Sequence, residues 1–290
     1  MITFSHLGQL GRLGNQMFQY AALRGLALEK GYESKIPDPL GREWHGQKCL
    51  LGELNIESAY LEAEDLQRIK FRYQEPNHMT FDPNFYSLPD NCDLVGFFQS
   101  TYYFEKHQEQ IKKELTPNEE HLFKAKKRFD KIKKDNSDYQ IVSLHIRRGD
   151  NTDNTDPNQV ALREFFNKGA SFDLYLKKAM DIFSGTKVKY LVFTGGKRWN
   201  QENEDDIRWC KDRLGDGAFI YAEGGSSIED FSLIMQCDHH ILSHVSSFGW
   251  WAAYLADKKG KIIVAPLKYH PDCLDINYRP GFYPNNWRLV

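Results

Sequence analysis

The chain has 290 residues, of which 41% are hydrophobic and 27% are charged, and its formal net charge is −2. This length allows two domains with a core each. The balanced charge excludes a general basic field of the kind that recruits nucleic acid or an anionic membrane, so any phosphate binding must be local.

The first half of the chain opens with a strand, a Gly-rich turn and a helix. Residues 2–7 are short and apolar, and apolar residues at helical spacing follow the turn as far as Gly31. Residues 32–92 show no clear pattern. Residues 93–99 predict a buried strand, and helices are predicted at 103–115 and 117–133.

The second half alternates strands with helices. This pattern predicts βαβ units and a parallel sheet. A polar segment at 131–138 separates the halves and predicts two domains, 1–135 on the acceptor side and 136–290 for the donor. The predicted strands are 140–146, 188–193, 218–221, 240–242 and 261–265, and the predicted helices lie near 172–183, 202–214, 228–236 and 248–256.

The cysteines and the absence of targeting signals indicate the compartment. The five cysteines, Cys49, Cys92, Cys210, Cys237 and Cys273, include no Cys-x-x-Cys pair, which favours reduced thiols over a disulfide framework. The N-terminus lacks a secretory pattern, and no segment approaches the roughly 20 apolar residues that span a bilayer. We expect a soluble, cytoplasmic protein without an integral membrane segment; peripheral membrane association is compatible with this.

Two adjacent arginines follow the strand at 140–146. Guanidinium groups pair bidentately with phosphate oxygens, although two surface arginines with a carboxylate neighbour are also common. Because side chains alternate along a strand, His145 and Arg147 share one face and Arg148 lies on the other. One arginine is thus expected to bind a ligand and the other to brace the loop. Asp150 either positions a neighbouring side chain or acts as a base. For His145, the alternative to a site role is a packed structural role.

Three further segments are candidates for anion or nucleotide binding. The loop 11–16 enters a helix whose free N–H groups favour an anion, although a tight strand–helix turn explains it as well; it is neither a Walker A loop nor Gly-x-Gly-x-x-Gly. Ser246 and Ser247 precede a helix, as N-caps or as phosphate ligands. Ser227 and Asp230 resemble a capping box, but Asp230 could instead accept from a guanine ring.

The sequence argues against a bound metal. It has no Asp-x-Asp motif, which removes the usual divalent-metal site of one large class of nucleotide-sugar enzymes. Cys237, His239, His240 and His244 have plausible zinc spacing, but most of them lie on or beside a short predicted strand. We therefore expect no metal.

Four segments together resemble the α-1,2-fucosyltransferase family of inverting, GDP-sugar-dependent glycosyltransferases. They occur in the family's order and span nearly the whole chain. They are Gly11-Arg12-Leu13-Gly14-Asn15-Gln16-Met17-Phe18-Gln19-Tyr20-Ala21, Phe97-Phe98-Gln99-Ser100 with Tyr103-Phe104, His145-Ile146-Arg147-Arg148-Gly149-Asp150 and Ser246-Ser247-Phe248-Gly249-Trp250-Trp251-Ala252-Ala253.

The resemblance implies an α/β, GT-B-like fold, with two Rossmann-like domains facing a cleft, and metal-independent transfer without a cofactor. The implied partners are a GDP-sugar donor and a glycan acceptor. The implied site has Arg147 and Asp150 as catalytic residues, and the implied donor-binding residues are Asn15, Gln16, His145, Arg148, Asp230, Ser246, Ser247 and Phe248.

The expected reaction is transfer of L-fucose from GDP-fucose to a sugar hydroxyl, α-1,2 on a galactoside-type acceptor. The alternatives are another GDP-sugar, such as GDP-rhamnose or GDP-mannose, and a non-catalytic GDP- or glycan-binding module. Thr194-Gly195-Gly196, Val245 and Gly249 depart from the family's usual residues around the donor site. These departures bear on which sugar is transferred.

Overall fold

The computed structural model describes residues 1–78, 80–153, 156, 160–168, 170–195, 204–268 and 279–290. The chain forms two compact units. Unit 1 comprises Met1–Asn118 and Asn277–Asn285, and unit 2 comprises Glu119–Ile276 and Asn286–Val290. Among the described residues, no helix is both long enough and apolar enough to cross a membrane.

Unit 1 is built on a five-stranded parallel sheet with the strand order β5-β2-β1-β7-β6. A small antiparallel hairpin, β3–β4, lies outside this sheet. The strands are β1 (Ile2–Thr3), β2 (Ser34–Ile36), β3 (Glu43–Trp44), β4 (Gln47–Lys48), β5 (Ala59–Tyr60), β6 (Phe71–Gln74) and β7 (Cys92–Val95); the helices are α1 (Leu13–Lys30), α2 (Ala63–Arg68) and α3 (Gln108–Leu115), with short 3-10 turns at Leu51–Glu53, Pro83–Ser87, Thr101–Tyr103 and Glu105–His107.

Helix α1 is the central helix of unit 1. It is buried over most of its length, and Gly31 ends it in the left-handed conformation at φ 68. The predicted helix up to Gly31 is therefore confirmed. The preceding strand is shorter than predicted, because the chain already turns at Phe4, whose carbonyl accepts from the Leu7 N–H.

Unit 2 contains a six-stranded parallel sheet with the order β10-β9-β8-β11-β12-β13. Its core includes Val142, Leu144, Val192, Ile241 and Val264, consistent with strands that are buried on both faces. The elements are α4 (Glu119–Asp135), β8 (Gln140–Arg147), α5 (Asp150–Asp153), α6 (Val160–Lys168), α7 (Ala170–Asp181), β9 (Val188–Gly195), α8 (Glu204–Leu214), β10 (Phe219–Tyr221), α9 (Ser227–Gln236), β11 (His239–Ile241), α10 (Ser247–Leu255), β12 (Ile263–Ala265) and β13 (Arg288–Leu289).

The division between the units differs from the predicted boundary at 135/136. Helix α4 belongs to unit 2, where it contacts α9 and buries Ala125 and Phe129. The polar segment at 131–138 is thus the last turn of a helix and the turn after it. A charged helix end resembles a linker in sequence, since both are solvated.

Several elements of unit 1 were not predicted. Residues 32–92 contain strands β2 to β6 and helix α2. Each of these strands has only two to four residues, which is too short to show a periodic pattern. The predicted strand at 93–99 ends at Val95, before Gly96. The predicted helix at 103–115 begins only at Gln108, after two 3-10 turns.

Candidate active site

The candidate site of unit 2 lies where three neighbouring parallel strands end. Arg147 is the last residue of β8, Gly195 is the last of β9, and Ser243 follows β11. The Arg147 N–H donates to Ser243 Oγ at 2.8 Å, and Arg147 Nη1 donates to the Gly195 carbonyl at 2.9 Å. Strands β8 and β11 flank the point where the strand order reverses, which is where open α/β sheets bind ligands.

Arg147 is held at this edge on two sides. Its Nη2 forms an ion pair with Asp150 Oδ1, while Nη1 contacts Gly195, and 16% of its side chain is exposed. The backbone carbonyl of Gly195 therefore supports the guanidinium. Gly196, the second departure there, lies outside the described residues.

Arg148 is buried rather than brought to the strand edge. Its Nε donates to Asp206 Oδ1 at 2.9 Å, and its guanidinium lies 3.8 Å from the centre of the Trp209 ring. The same Asp206 accepts from the Gly149 N–H at 3.0 Å. Arg148 thus braces the loop after β8 from the interior, and its contact with the donor stays a prediction.

His145 is a packed residue beside helix α10. Burial, and then the charge of Arg147, lowers its pKa to about 3, so the imidazole is neutral. Its ring centre lies 5.7 Å from that of Phe248, and a Cβ added at Gly249 would lie 2.6 Å from His145 Nδ1. Gly249, which has no Cβ, therefore permits this close packing.

The start of α10 combines a buried hydroxyl with a strained backbone. Ser246 occupies the N-cap position, but its side chain makes no capping hydrogen bond, so the capping interpretation is wrong for this residue. Val245 has φ 49, a left-handed conformation that is unusual for a β-branched residue. Strain of this kind clusters at functional sites, and the N–H groups of Ser247 and Phe248 in the first helical turn suit an anion.

Asp230 does not cap α9. The capping box is formed by Ser226 and Glu229, one residue before the predicted pair, so the assignment to Ser227 and Asp230 is wrong. Asp230 Oδ1 instead accepts from Arg128 Nη1 of α4 at 3.3 Å. Burial raises the pKa of Asp230 to about 6, although Arg128 opposes the shift.

Aromatic contacts link these elements. The Phe231 ring, adjacent to Asp230 in sequence, lies 5.3 Å from Phe248, which in turn contacts His145. Helices α9 and α10 and strand β8 are thereby joined. Sequence reasoning placed Ser243 at a strand end but did not name it as a site residue, and it missed Arg128. The available signals were a hydroxyl after a strand and a cation on a predicted helix.

In unit 1, Gln16 is fully buried and braces its own loop. Its Nε2 donates to the Gly11 carbonyl at 2.9 Å, and its Oε1 accepts from Cys49 Sγ at 3.4 Å. The donor contact predicted for Gln16 stays a prediction. Asn15 is half-buried, and its Oδ1 accepts from Gln99 Nε2 at 2.9 Å.

The loop after β7 is held by a carboxylate that the sequence did not single out. Glu75 is buried and accepts from the Phe97 N–H at 2.7 Å and the Phe98 N–H at 3.0 Å. Phe98 has φ 51, so this clamp maintains an uncommon backbone conformation. The clamp positions the amide of Gln99 against Asn15.

The described residues contain no group of three His, Cys, Asp or Glu side chains placed to hold a metal ion. His240 Nδ1 contacts Ser143 Oγ at 2.8 Å, and His239 Nδ1 accepts from the Ile262 N–H at 3.0 Å. Metal independence stays a prediction. Cys49, Cys92, Cys210 and Cys237 are free thiols, whereas Cys273 lies outside the described residues.

Comparisons with known proteins point to one family. The chain matches the model of glycosyl transferase family 11 over residues 6–287. It is 29% identical to an α-1,2-colitosyltransferase of Escherichia coli, over 89% of this chain and 90% of that protein. It is 30% identical to galactoside α-(1,2)-fucosyltransferase 1 of Oryctolagus cuniculus, over 85% of this chain and 62% of that protein.

Solved structures of fucosyltransferases share the fold. POFUT1 in complex with GDP aligns with a TM-score of 0.51 at 12% identity, covering 90% of this chain and 97% of that one. The fucosyltransferase NodZ from Bradyrhizobium aligns with a TM-score of 0.50 at 13% identity, covering 88% and 93%. At this identity the likeness concerns the fold alone, and the predicted α/β, GT-B-like fold is confirmed.

Proposed function

Since the chain belongs to glycosyl transferase family 11, we propose that it transfers L-fucose from GDP-fucose to a hydroxyl group of a galactoside, forming an α-1,2 linkage with inversion at the anomeric carbon. The predicted family is confirmed, and the chain is a glycosyltransferase. The observation that carries the proposal is the placement of Arg147 at the switch point of the unit 2 sheet, held by Ser243, Gly195 and Asp150.

The reaction requires stabilisation of GDP as it leaves the anomeric carbon. The guanidinium of Arg147 would pair with the diphosphate, and the N–H groups of Ser247 and Phe248 would add the positive end of helix α10. Fixed charges of this kind stabilise charge that develops in the transition state and need no reorganisation at the moment of reaction. In the proposed reaction, these protein groups provide the positive charge, and no metal ion takes part.

Asp230 would recognise the guanine ring. Its carboxylate can accept from the N1–H and the exocyclic amine, and Arg128 fixes its orientation through Oδ1. The aromatic contact from Phe231 to Phe248 joins this helix to the start of α10, where the diphosphate would bind.

The acceptor hydroxyl must lose a proton during inversion. Asp150 was the predicted base, and that role stays a prediction. Its ion pair with Arg147 supports a positioning role, because the carboxylate holds the guanidinium that would bind the diphosphate.

A panel of donors tests the proposal. GDP-fucose, GDP-colitose, GDP-mannose and GDP-rhamnose are each supplied with lactose, and both GDP release and product linkage are measured in the presence of EDTA. We expect GDP-fucose to give the highest kcat/KM and an α-1,2 product. A higher kcat/KM with GDP-colitose would replace fucose by the sugar that names the Escherichia coli relative, and GDP binding without transfer from any donor would reject catalysis.

A further inference from the structure

The proposed reaction assigns no role to Gln99, although this residue lies in one of the four segments that resemble the family. Gln99 is half-buried in the loop after β7, and its side-chain amide lies between two other side chains of unit 1. Its Nε2 donates to Asn15 Oδ1 at 2.9 Å, and its Oε1 accepts from Arg279 Nη2. Hydrogen bonds thus run from Arg279 through Gln99 to Asn15.

Arg279 fixes the direction of these hydrogen bonds. A guanidinium group has five N–H donors and no acceptor, so only the oxygen of the Gln99 amide can face it. The NH2 group of Gln99 must then face Asn15, and Asn15 must meet it with its own oxygen. The Asn15 amide is thereby oriented with Nδ2, a donor, on the side away from Gln99.

The segment that carries Arg279 is anchored to the rest of unit 1. Arg279 is 4% exposed, and its guanidinium lies 4.3 Å from the centre of the Phe282 ring. Phe282 is fully buried, and its ring stacks on Phe18 of α1 at a centre-to-centre distance of 6.0 Å. The Thr101 N–H donates to the Gly281 carbonyl at 2.7 Å. The guanidinium is therefore held in place before a ligand binds, which lowers the entropy cost of ordering its partners.

The Nδ2 atom of Asn15 lies beside Gly11. A Cβ added at Gly11 would come within 2.4 Å of this atom, and Gly11 has φ 81, so a larger residue would displace the Asn15 amide. Asn15 is also in the first turn of α1, at the positive end of the helix dipole. The donor atom and the helix end therefore both suit an oxygen atom of a bound sugar.

We propose that Gln99 and Arg279 are positioning residues that orient Asn15, so that its NH2 group rather than its oxygen meets the transferred sugar. The inference rests on the proposed function and on the predicted contact between Asn15 and the donor. The sugar atom that meets Asn15 must then accept a hydrogen bond, as a ring oxygen or a hydroxyl oxygen does.

Two substitutions at Gln99 separate the orientation of Asn15 from stability. In Gln99→Glu, the carboxylate still accepts from Arg279, but its second oxygen requires the NH2 group of Asn15, which reverses the Asn15 amide. In Gln99→Met, a side chain of similar size makes neither hydrogen bond, and Asn15 can adopt both orientations. The thermal unfolding midpoint should be higher for Gln99→Glu than for Gln99→Met, because only Gln99→Glu keeps a charged contact with Arg279.

The affinities for GDP-fucose are expected in the opposite order. In isothermal titration calorimetry without an acceptor, Gln99→Glu should bind GDP-fucose about tenfold more weakly than wild type, and Gln99→Met about threefold more weakly, as for one misdirected and one loosened hydrogen bond. Both variants should bind GDP, which lacks the sugar, within twofold of wild type. Gln67→Glu, the same change at an exposed position of α2, is the matched control and should leave both affinities unchanged.

Two outcomes are expected from a purely structural role of Gln99 and would overturn the inference. One is an affinity for GDP-fucose that follows the unfolding midpoint, and the other is an equal loss of affinity for GDP and GDP-fucose. If Gln99→Glu does not fold, a double-mutant cycle decides: Gln99→Met should weaken GDP-fucose binding no further once Asn15→Ala has been made, and additive losses would overturn the inference. Calorimetry needs no turnover, so a wild type that binds GDP-fucose but transfers no sugar would refute the proposed function alone.

Discussion

Arg147 and Arg148 differ in burial and in their partners. Arg148 forms an ion pair with a fully buried carboxylate, Asp206, and it stacks on Trp209. Arg147 keeps part of its guanidinium at the strand edge, beside a carboxylate that is itself partly exposed. The removal of Arg147 therefore leaves no unpaired charge in the interior, and its effect on catalysis can be measured separately from its effect on folding.

Arg147→Ala is expected to lower kcat by about 100- to 1,000-fold, because the diphosphate loses a fixed positive charge as the sugar departs. The thermal unfolding midpoint should stay close to that of wild type. Arg213→Ala is the matched control, since Arg213 forms a partly exposed ion pair with Asp173 and a contact with the Trp209 ring at 4.9 Å, and exposed pairs of this kind contribute little to stability. Near-wild-type turnover by Arg147→Ala would reject the donor-site assignment.

The raised pKa of Asp230, about 6, predicts that fold stability and GDP binding depend on pH in opposite directions. An acid whose folded-state pKa lies above its unfolded value stabilises the fold below the unfolded value, about 3.9, and this contribution is lost as the pH rises through about 6. GDP binding follows the other direction, because guanine recognition needs the carboxylate. Protonation thus stabilises the fold and removes the ligand contact.

We expect the GDP affinity to fall about tenfold between pH 7.5 and pH 5, as Asp230 takes up a proton. His145 does not contribute in this range, since its pKa is about 3. Isothermal titration calorimetry across the pH range measures the effect. Asp230→Asn should bind GDP weakly at every pH, and a pH-dependent affinity that persists in this variant would assign the titration to another group.

Val245 provides a test of backbone strain. Its φ of 49 is costly for a β-branched residue, whereas Asn tolerates the left-handed region. Val245→Asn should therefore raise the free energy of unfolding by about 1 kcal/mol, measured by urea denaturation. Val188→Asn, which changes a half-buried strand valine with an ordinary backbone, should instead lower it, and a loss of stability in both variants would show that side-chain burial outweighs the strain.

Helix α4 is the element whose assignment differs most from the sequence prediction. It carries 17 residues with many charges, and its buried face includes Ala125 and Phe129. Through Arg128 it also fixes Asp230 on α9. Its membership in unit 2 thus follows from a narrow apolar face and one charged contact, rather than from overall hydrophobicity.

Two phenylalanines of α4 measure this packing. Phe129→Ala should cost about 3–5 kcal/mol of unfolding free energy, because the ring is buried and its removal leaves a cavity. Phe123→Ala should change stability by less than about 0.5 kcal/mol, since Phe123 is 71% exposed on the same helix. Similar costs for the two variants in urea denaturation would contradict the placement of α4 on the unit 2 core.

At the scale of the whole molecule, each unit has its own parallel sheet and its own set of strand-end loops. The residues proposed to hold GDP, such as Arg147 and Asp230, belong to unit 2, whereas Asn15 and Gln16, which are also predicted to bind the donor, belong to unit 1. A ligand of one unit should therefore protect a different part of the backbone from a ligand of the other.

GDP at 100 times its Kd should stabilise the folded state by about 2.7 kcal/mol. In hydrogen exchange, we expect local protection by GDP at the amide of Arg147 and in the first turn of α10, including Phe248. Protection by GDP confined to unit 1 would contradict the assignment of the donor site.

Local patterns in the sequence were sufficient for much of the fold. The alternation of apolar strands and helices in the second half predicted a parallel sheet with strand ends at Arg147 and near Ser243, because strand and helix periodicity depend on neighbouring residues. The motif segments likewise identified the family. The short strands between 34 and 74 carried no such local signal and were missed.

Which side chains are free to act was decided only by the tertiary structure. Arg148 is committed to Asp206, 58 residues away, Gln16 to Cys49, and Asp230 to Arg128 rather than to its own helix end. The free energy of burying a charged or polar group depends on partners that are distant in sequence. The sequence by itself therefore determined the family, the sheet of unit 2 and the edge where its strands end, whereas long-range pairing decided which arginine remains at that edge.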